Sequence, residues 1–401
     1  MTPPPSVLGF VDSHTGGEPT RVITDGFPRL PGGTVKDQRA ALERHYLDFA
    51  RTADRDQTAH HGHSRGDRRG STIRATSAAV RRWCRRRQRM TSPSRFWTDE
   101  QTLPVLDYLK LTDHLEAEHL AGNPLEIGDS FVVNKAGDGV LTRTALGATR
   151  SGVKIASVFP SNSGATVQSI YILFNRRGDP EFVMGADSLT CFKTACDSAL
   201  ASRHLSRTDA EHLLMVGAGS MAPHLIAAHR AVRPSIRRVS IWNRGAQRAQ
   251  VLASQTHDAS AVDVASLAEA VADADVISVA TLSSEPLING EWLPPGVQLD
   301  LVGAYRPDVR EADDTALTTS RIFVDSRHTI DHEIGELAIP LAAGIITRDN
   351  IRGDLYELCQ GRVTGRDSPA TRTVFKNGGG GHLDLMTATF IANRLEPDET
   401  T

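Results

Sequence analysis

Residues 211–244 read EHLLMVGAGSMAPHLIAAHRAVRPSIRRVSIWNR, and this stretch decides the fold. It contains a short apolar run, residues 213–216, of the kind that forms a buried parallel strand. The glycine turn at residues 217–222 follows at once, and a helical pattern comes after it. A G-x-G-x-x-A turn between a strand and a helix predicts a Rossmann-type unit that binds a dinucleotide. The alternative is a glycine turn without a ligand.

Each small residue of the turn has an expected structural role. Gly217 permits the tight turn, Gly219 lets the backbone approach a pyrophosphate, and Ala222 allows close packing of helix on strand. Free N–H groups at the start of the helix, where Ser220 and Met221 lie, would then face the phosphates.

The end of the next predicted strand indicates which dinucleotide is bound. An NAD site usually has an acidic residue there, whereas this chain has Asn243 followed by Arg244. A neutral residue and a cation suit a ribose 2′-phosphate, so we expect NADPH, with NADH as the alternative.

Bulk composition is that of a globular protein with two or three domains. The chain has 401 residues, a net charge of −3 and 39% hydrophobic residues. It has no apolar run near the ~18 residues of a membrane span and no secretory leader. Its four cysteines lack metal-site spacing, so we expect a reduced cytoplasmic protein without a metal site.

The chain as a whole predicts an α/β fold: a Rossmann domain plus a discontinuous α+β lobe, preceded by a disordered extension. The family resemblance described below implies that this is a substrate and dimerisation lobe. Five segments are expected: a fragment at 1–57, an Arg/His-rich linker at 58–90, the first part of the lobe at 91–205, the Rossmann domain at 206–326, and the second part of the lobe at 327–401. The expected helices are 39–51, 99–120 and 187–204, and the expected strands outside the opening motif are 131–133, 139–144, 152–159, 168–174, 276–280, 299–302 and 322–324.

The first segment carries the string DSHTGGEPTRVITDGFP at residues 12–28, which resembles the opening of proline racemases and in particular of hydroxyproline epimerases. That family acts with two cysteines, and neither cysteine motif is present here. We therefore expect no epimerase activity.

Residues 60–89 contain ten arginines, no lysine and one acid. So much charge with so few apolar groups favours a disordered linker. Contacts to nucleic-acid phosphates are a second, less favoured interpretation. A third is out-of-frame racemase sequence that joins two neighbouring genes, with Met90 near the natural start of the working protein.

Most of the chain from residue 90 onward resembles a second family. GVKIASVFPSN, LTCFKTACDSALAS, GAGSMA, LVGAYRPDVRE, FVDSR and GHLDLMTA occur in order between residues 152 and 392. These strings are similar to those of the ornithine cyclodeaminase/μ-crystallin family, which implies a Rossmann domain with a discontinuous substrate lobe, usually in homodimers.

The loop at residues 303–311 separates subgroups of that family. It lacks the GGDCPGK-like string of true cyclodeaminases and resembles the loop of ketimine and pyrroline-2-carboxylate reductases. The resemblance implies NADPH-dependent reduction of a small cyclic imino acid. Two alternatives remain: an ornithine cyclodeaminase or alanine-dehydrogenase-like enzyme, and a non-catalytic NADPH-dependent binder of small ligands.

Lysine residues are the leading candidates for catalysis. Lys154 lies inside an apolar strand, where an unpaired charge is costly, and the family has an active-site lysine there. A lysine that extends from an edge strand to solvent is the alternative interpretation. Lys193 occupies the position of an arginine in many relatives.

The remaining assignments rest on the resemblance or on strand ends. Asp308 is a candidate general acid or a helix cap, with Arg306 beside it. Further cofactor contacts are expected from Thr194, Thr281, Val302 and Gly303, and substrate contacts from Asn162 and Tyr305. Relatives bind the substrate carboxylate with an arginine upstream of the active-site lysine, and this chain lacks that arginine. Arg143 or Arg150 could replace it.

Overall fold

The structure is a computed structural model that describes residues 9–15, 18–25, 95–123, 125–135, 137–159, 167–281, 283–304, 306–327 and 334–396. The chain divides into two units, Met1–Arg89 and Met90–Thr401. In the first unit, β1 (Gly9–Thr15) and β2 (Glu18–Asp25) form an antiparallel hairpin. The predicted helix at 39–51 and the Arg/His-rich linker lie outside the described residues.

The second unit begins with a six-stranded sheet in the order β3-β8-β7-β6-β5-β4. Neighbouring strands in this sheet are antiparallel, except that β3 and β8 are parallel. The strands are β3 (Arg95–Trp97), β4 (Glu126–Val133), β5 (Gly139–Leu146), β6 (Ser151–Val158), β7 (Val167–Phe174) and β8 (Pro180–Gly185). Strands β4 to β7 match the four predicted ones, whereas β3 and β8 were not predicted.

Three helices accompany this sheet: α1 (Asp99–Thr102), α2 (Tyr108–Ala121) and α3 (Asp187–Leu205). The single helix predicted at 99–120 is wrong, because the chain breaks after Thr102 into a 3-10 turn at Leu103–Val105 that contains Pro104. Asp107 then starts a new helix by accepting a hydrogen bond from the backbone N–H of Lys110 at 2.8 Å.

A fully parallel, eight-stranded sheet follows, in the order β11-β10-β9-β12-β13-β16-β14-β15. Its strands are β9 (His212–Val216), β10 (Arg238–Trp242), β11 (Ala259–Ala261), β12 (Val276–Val279), β13 (Gln298–Leu301), β14 (Arg321–Val324), β15 (Ile351–Asp354) and β16 (Thr373–Lys376). Its helices are α4 (Ala222–Val232), α5 (Ala246–Gln255), α6 (Leu267–Ala272), α7 (Asp314–Thr318), α8 (Gly335–Ala342) and α9 (Leu355–Cys359). This sheet confirms the Rossmann-type α/β fold.

The strand order corrects one predicted boundary. Residues after 326 were expected to return to the substrate lobe, yet β15 pairs with β14, and β16 lies between β13 and β14. The helix α10 (Gly381–Leu395), in contrast, packs on the six-stranded sheet. β15 and β16 pair with strands that are distant from them in the sequence, so no local pattern indicated that they belong to this sheet.

Helix α3 joins the two sheets. It contacts β7 of the six-stranded sheet and β13 and β16 of the parallel sheet. Leu189, Phe192 and Leu200 pack into the core beside the six-stranded sheet, while Ala195 and Ala199 pack against the apolar residues of β9 and α4. Small residues on one face let the helix approach the Rossmann core closely, so α3 can carry side chains to a site between the sheets. Among the described helices, none is long and apolar enough to cross a membrane.

Candidate functional site

The glycine turn after β9 has the shape that a dinucleotide needs. Gly217 has φ of +112°, and a Cβ atom there would lie 2.4 Å from the carbonyl oxygen of Ala280. A Cβ on Gly219 would meet nothing within 4 Å, so the backbone of Gly219 borders open space. Gly217 must therefore be glycine because of its backbone conformation and its contact with Ala280, whereas Gly219 leaves room for a ligand. Ser220 is exposed there, and Met221 is half-buried.

The end of β10 is tied to this turn. The Oδ1 atom of Asn243 accepts a hydrogen bond from the N–H of Ala218 at 3.2 Å, and its Nδ2 donates to the carbonyl of Gly245 at 3.0 Å. Arg244 is exposed beside it. Asn243 thus supports the glycine turn, and Arg244 is left accessible to a ligand.

Glu311 supports a second group of predicted cofactor residues, Thr281 and Gly303, which we call the cofactor rim. The sequence analysis did not identify Glu311. Its Oε1 accepts from the N–H and hydroxyl of Thr281 at 2.7 and 2.9 Å, and its Oε2 accepts from the N–H of Gly303 at 2.7 Å. Burial raises the pKa of Glu311 to about 7, against the opposing effect of Lys376. The carboxylate thereby fixes two of the predicted cofactor residues, and Val302, half-buried, lies between β13 and Gly303.

The second part of the site is a buried charged cluster. The Nζ atom of Lys154 lies 2.9 Å from Oδ1 of Asp384, and the Nζ atom of Lys193 lies 3.8 Å from the same oxygen. All three residues are buried, at 4%, 2% and 0% exposure. Lys154 comes from β6, Lys193 from α3 and Asp384 from α10. The alternative interpretation of Lys154 as a lysine extending to solvent is therefore wrong.

Arg143 adds a third cation to this cluster. It lies opposite Lys154 in the β5–β6 register, and its Nε is 3.1 Å from Oδ2 of Asp129. A Cβ built on Gly379, whose φ is +60°, would lie 2.8 Å from Nζ of Lys193 and 3.3 Å from Nη1 of Arg143. The two cations therefore converge on a position where only glycine leaves room for them.

The charges of the cluster have consequences for protonation. Burial lowers the pKa of Lys154 to about 8, against the opposing effect of Asp384. Burial alone would raise the pKa of Asp384, yet Lys154, Lys193 and Arg143 outweigh burial and hold that pKa below its usual range. The three cations outnumber the carboxylates of Asp384 and Asp129 by one, so the cluster favours an added anion.

Two further groups border the cluster. Oδ2 of Asp384 and the hydroxyl of Tyr171 are buried, and neither has a hydrogen-bond partner among the described residues. A Cβ on Gly152 would lie 2.3 Å from that hydroxyl, so the glycine makes room for Tyr171. Burial also lowers the pKa of His382 well below its usual value, which keeps this ring neutral beside the lysines.

Other predicted residues do not join this cluster. Arg306 and Asp308 pair with each other at 2.6 Å in an exposed loop. The Arg306 hydrogen bond holds the pKa of Asp308 below its usual value, which does not favour the predicted role of general acid. Arg150 pairs with Glu181 at 2.9 Å, so of the two arginines considered for the carboxylate, Arg143 is the one in the cluster.

Three other predictions have simple outcomes. The carbonyl of Thr194 accepts from Nδ2 of Asn377 at 2.9 Å, and the residue is half-buried one position after Lys193. Asn162 and Tyr305 lie outside the described residues, so their roles stay predictions.

Fold and site together define a two-lobed Rossmann protein, in which a dinucleotide-type glycine turn accompanies a buried cationic cluster. The ornithine cyclodeaminase/mu-crystallin family model matches residues 130–399, and the chain belongs to that family. A proline racemase model matches residues 10–55, which confirms the resemblance of the first segment to that family.

Individual relatives agree with this assignment. The Delta(1)-pyrroline-2-carboxylate reductase of Paracoccus denitrificans is 44% identical over 247 residues, which are 60% of this chain and 78% of that protein. Protein SAR DEFICIENT 4 of Arabidopsis thaliana is 42% identical over 250 residues, covering 60% of this chain and 77% of that protein. The structure of the Thermococcus litoralis Delta(1)-pyrroline-2-carboxylate reductase, in complex with NADH and L-proline, has a TM-score of 0.70 at 23% identity. It covers 75% of this chain and 96% of that one, and it supports the fold.

Proposed function

We propose that this protein is an NADPH-dependent reductase of cyclic ketimines that converts pyrroline-2-carboxylate to L-proline, with the six-membered analogue, reduced to L-pipecolate, as a second substrate. The observation that carries the proposal is the buried cluster of Lys154, Asp384, Lys193 and Arg143. The name of the Paracoccus relative supports the same reaction.

The cofactor site fits a nicotinamide dinucleotide. Gly219 leaves open space where a pyrophosphate would approach, and Thr281 and Gly303 form a rim held by Glu311. Arg244, exposed at the end of β10, would bind a 2′-phosphate, which favours NADPH over NADH. When bound, the nicotinamide supplies the hydride that the reaction requires.

Besides the hydride, the reaction requires that the substrate carboxylate be bound and that the imine nitrogen receive a proton, and the cluster has residues for both. Lys193 and Arg143 converge near Gly379 and would hold the substrate carboxylate. The ammonium of Lys154 would donate a proton to the imine nitrogen, and a pKa of about 8 suits a donor that works near neutral pH. Asp384 would hold Lys154 in place and stabilise its charged form.

The proposed substrate lobe also has a surface suited to a second copy of the chain. Phe131, Val132 and Val133 on the outer strand β4 are 51%, 71% and 53% exposed. We propose that the protein is a homodimer joined through this strand and its neighbours. Light scattering of the Val132→Asp variant tests this, with a dimer expected for the unchanged chain and a monomer for the variant.

We also propose that the protein is cytoplasmic. Among the described residues, Cys191, Cys196 and Cys359 are free cysteines, which suits the reducing cytoplasm.

The direct test is consumption of NADPH with pyrroline-2-carboxylate, together with chromatographic detection of proline. Proline formed in proportion to NADPH oxidised is the expected result. Ammonia release from ornithine would support a cyclodeaminase instead. Tight NADPH binding without turnover of either compound would indicate a non-catalytic binder and overturn the proposal.

A further inference from the structure

A second polar cluster lies at the far end of α3 from Lys193. Glu116 of α2, His204 of α3 and Cys359 of α9 each offer one potential ligand atom, and these three atoms lie within 4.8 Å of one another. Lys193 and His204 are eleven residues apart on the helix, about 16 Å along its axis. The cluster is therefore separate from the proposed catalytic site.

We propose that Glu116, His204 and Cys359 form a binding site for Zn²⁺ or a similarly thiophilic divalent cation. Carboxylate oxygen, imidazole nitrogen and thiolate sulfur are the three ligand types that zinc takes in proteins. The sequence could not reveal the site, because the ligands come from three helices and show no motif spacing.

Distances between the ligand atoms support the proposal. Nε2 of His204 lies 2.9 Å from Oε1 of Glu116 and 3.7 Å from Sγ of Cys359. Metal–ligand bonds of 2.0–2.3 Å in a tetrahedral site separate neighbouring ligand atoms by roughly 3.4 Å. Small side-chain adjustments would therefore close the three atoms around one ion. A solvent molecule would complete the coordination, since all three residues are half-buried.

Neighbouring charges are arranged to match a divalent cation. The Nη1 atom of Arg203 donates to Oε2 of Glu116, which orients the carboxylate and leaves Oε1 for the metal. Asp113 pairs with the same guanidinium at 2.7 Å. With a bound Zn²⁺ and a deprotonated Cys359, the three negative groups would balance Arg203 and the ion.

The free ligands differ in what metal binding requires of them: the ring of His204 is neutral, whereas the thiol of Cys359 must first lose its proton. Burial lowers the pKa of His204, so the ring is neutral, and the tautomer with its proton on Nδ1 would offer Nε2 to a metal. Burial, reinforced by Glu116, raises the pKa of the Cys359 thiol to about 12. The thiol would lose its proton on binding, so metal affinity should rise with pH.

A bound ion would fasten α9, which follows the edge strand β15, to α2 and α3. The first measurement is titration of the full chain with zinc chloride against a chromophoric chelator. One zinc ion per chain is expected at this site. At a hundredfold excess over Kd, zinc should raise Tm by a few degrees.

The second measurement locates the site, because His60, His61 and His63 could also hold zinc. Cobalt(II) bound to a thiolate gives a charge-transfer band in the near ultraviolet that histidine ligands do not produce. The band should appear with the unchanged chain, disappear in Cys359→Ser, and persist in the matched controls Cys191→Ser and Cys84→Ser.

A third variant tests the other ligands. His204→Gln keeps the thiol and should weaken cobalt binding at least about tenfold, while circular dichroism confirms that the chain is folded. Absence of the thiolate band in the unchanged chain, or its survival in Cys359→Ser, would overturn the proposal. These readouts report metal binding and not turnover, so they are independent of the proposed reductase activity.

Discussion

Lys154 and Asp384 are 230 positions apart in the chain and form a buried ion pair of 2.9 Å. The pair joins the central part of the six-stranded sheet to the last helix of the chain. An ionised pair in a buried position is costly unless further groups compensate it. The positive charges of Lys193 and Arg143 lie near Asp384 and favour its ionised form. Burial lowers the pKa of Lys154 and Asp384 opposes that shift, so the pKa stands at about 8, which is suited to proton transfer near neutral pH.

Replacing Asp384→Asn should reduce kcat and change its pH dependence. Asp384 raises the pKa of Lys154 against the effect of burial, so its removal lowers that pKa below about 8. Because the proposed donor must carry its proton, activity would then decline at a lower pH than in the unchanged enzyme. The measurement is kcat between pH 6 and 9, and Glu181→Gln, which removes a carboxylate paired with Arg150, is the matched control. An unchanged pH midpoint in Asp384→Asn would argue against Lys154 as the donor.

Replacing Arg143→Met should raise KM for the ketimine far more than KM for NADPH. A charge-assisted hydrogen bond to a carboxylate contributes about 1.5–3 kcal/mol, which corresponds to roughly ten- to a hundredfold in KM. Arg150→Met is the matched control, since Arg150 pairs with Glu181 outside the cluster. Equal increases in both variants would remove Arg143 from the proposed carboxylate site.

Replacing Arg244→Ala should raise KM for NADPH by about tenfold or more and leave KM for NADH nearly unchanged. The reason is that only NADPH has a 2′-phosphate for the exposed guanidinium to bind. Steady-state kinetics with both cofactors give the comparison. Arg238→Ala, at the opposite end of β10, is the control and should affect neither cofactor. Similar losses with NADPH and NADH in Arg244→Ala would contradict the cofactor assignment.

The two glycines of the turn should respond differently to substitution. Gly219→Val adds a side chain into open space, so we expect an unchanged Tm without cofactor but a large loss of NADPH affinity. Gly217→Ala places a Cβ against the carbonyl of Ala280 at a positive φ, which should destabilise the fold by at least about 1–2 kcal/mol. Thermal unfolding and fluorescence titration with NADPH separate the effects. A Gly219→Val protein that binds NADPH normally would exclude this turn as the phosphate site.

Local patterns in the sequence were enough to predict the nucleotide-binding part. The apolar run of β9, the glycine turn and helix α4 are contiguous, so their periodicity and backbone requirements can be read directly. Lys154 was identifiable for a similar reason, since a lysine within an apolar strand is costly without a partner. Strand β16 was not predicted, because its sequence TVFK has only two apolar residues between polar ones and its partners β13 and β14 are distant in the sequence.

The sequence by itself determined the Rossmann fold, the family and the glycine turn, because each depends on neighbours along the chain. Only the tertiary structure decided that Asp384 and Arg143 meet Lys154 and that Glu311 supports the cofactor rim. These contacts join residues on separate strands, helices and loops. Their partners are set by sheet order and helix packing, and no local spacing encodes that arrangement.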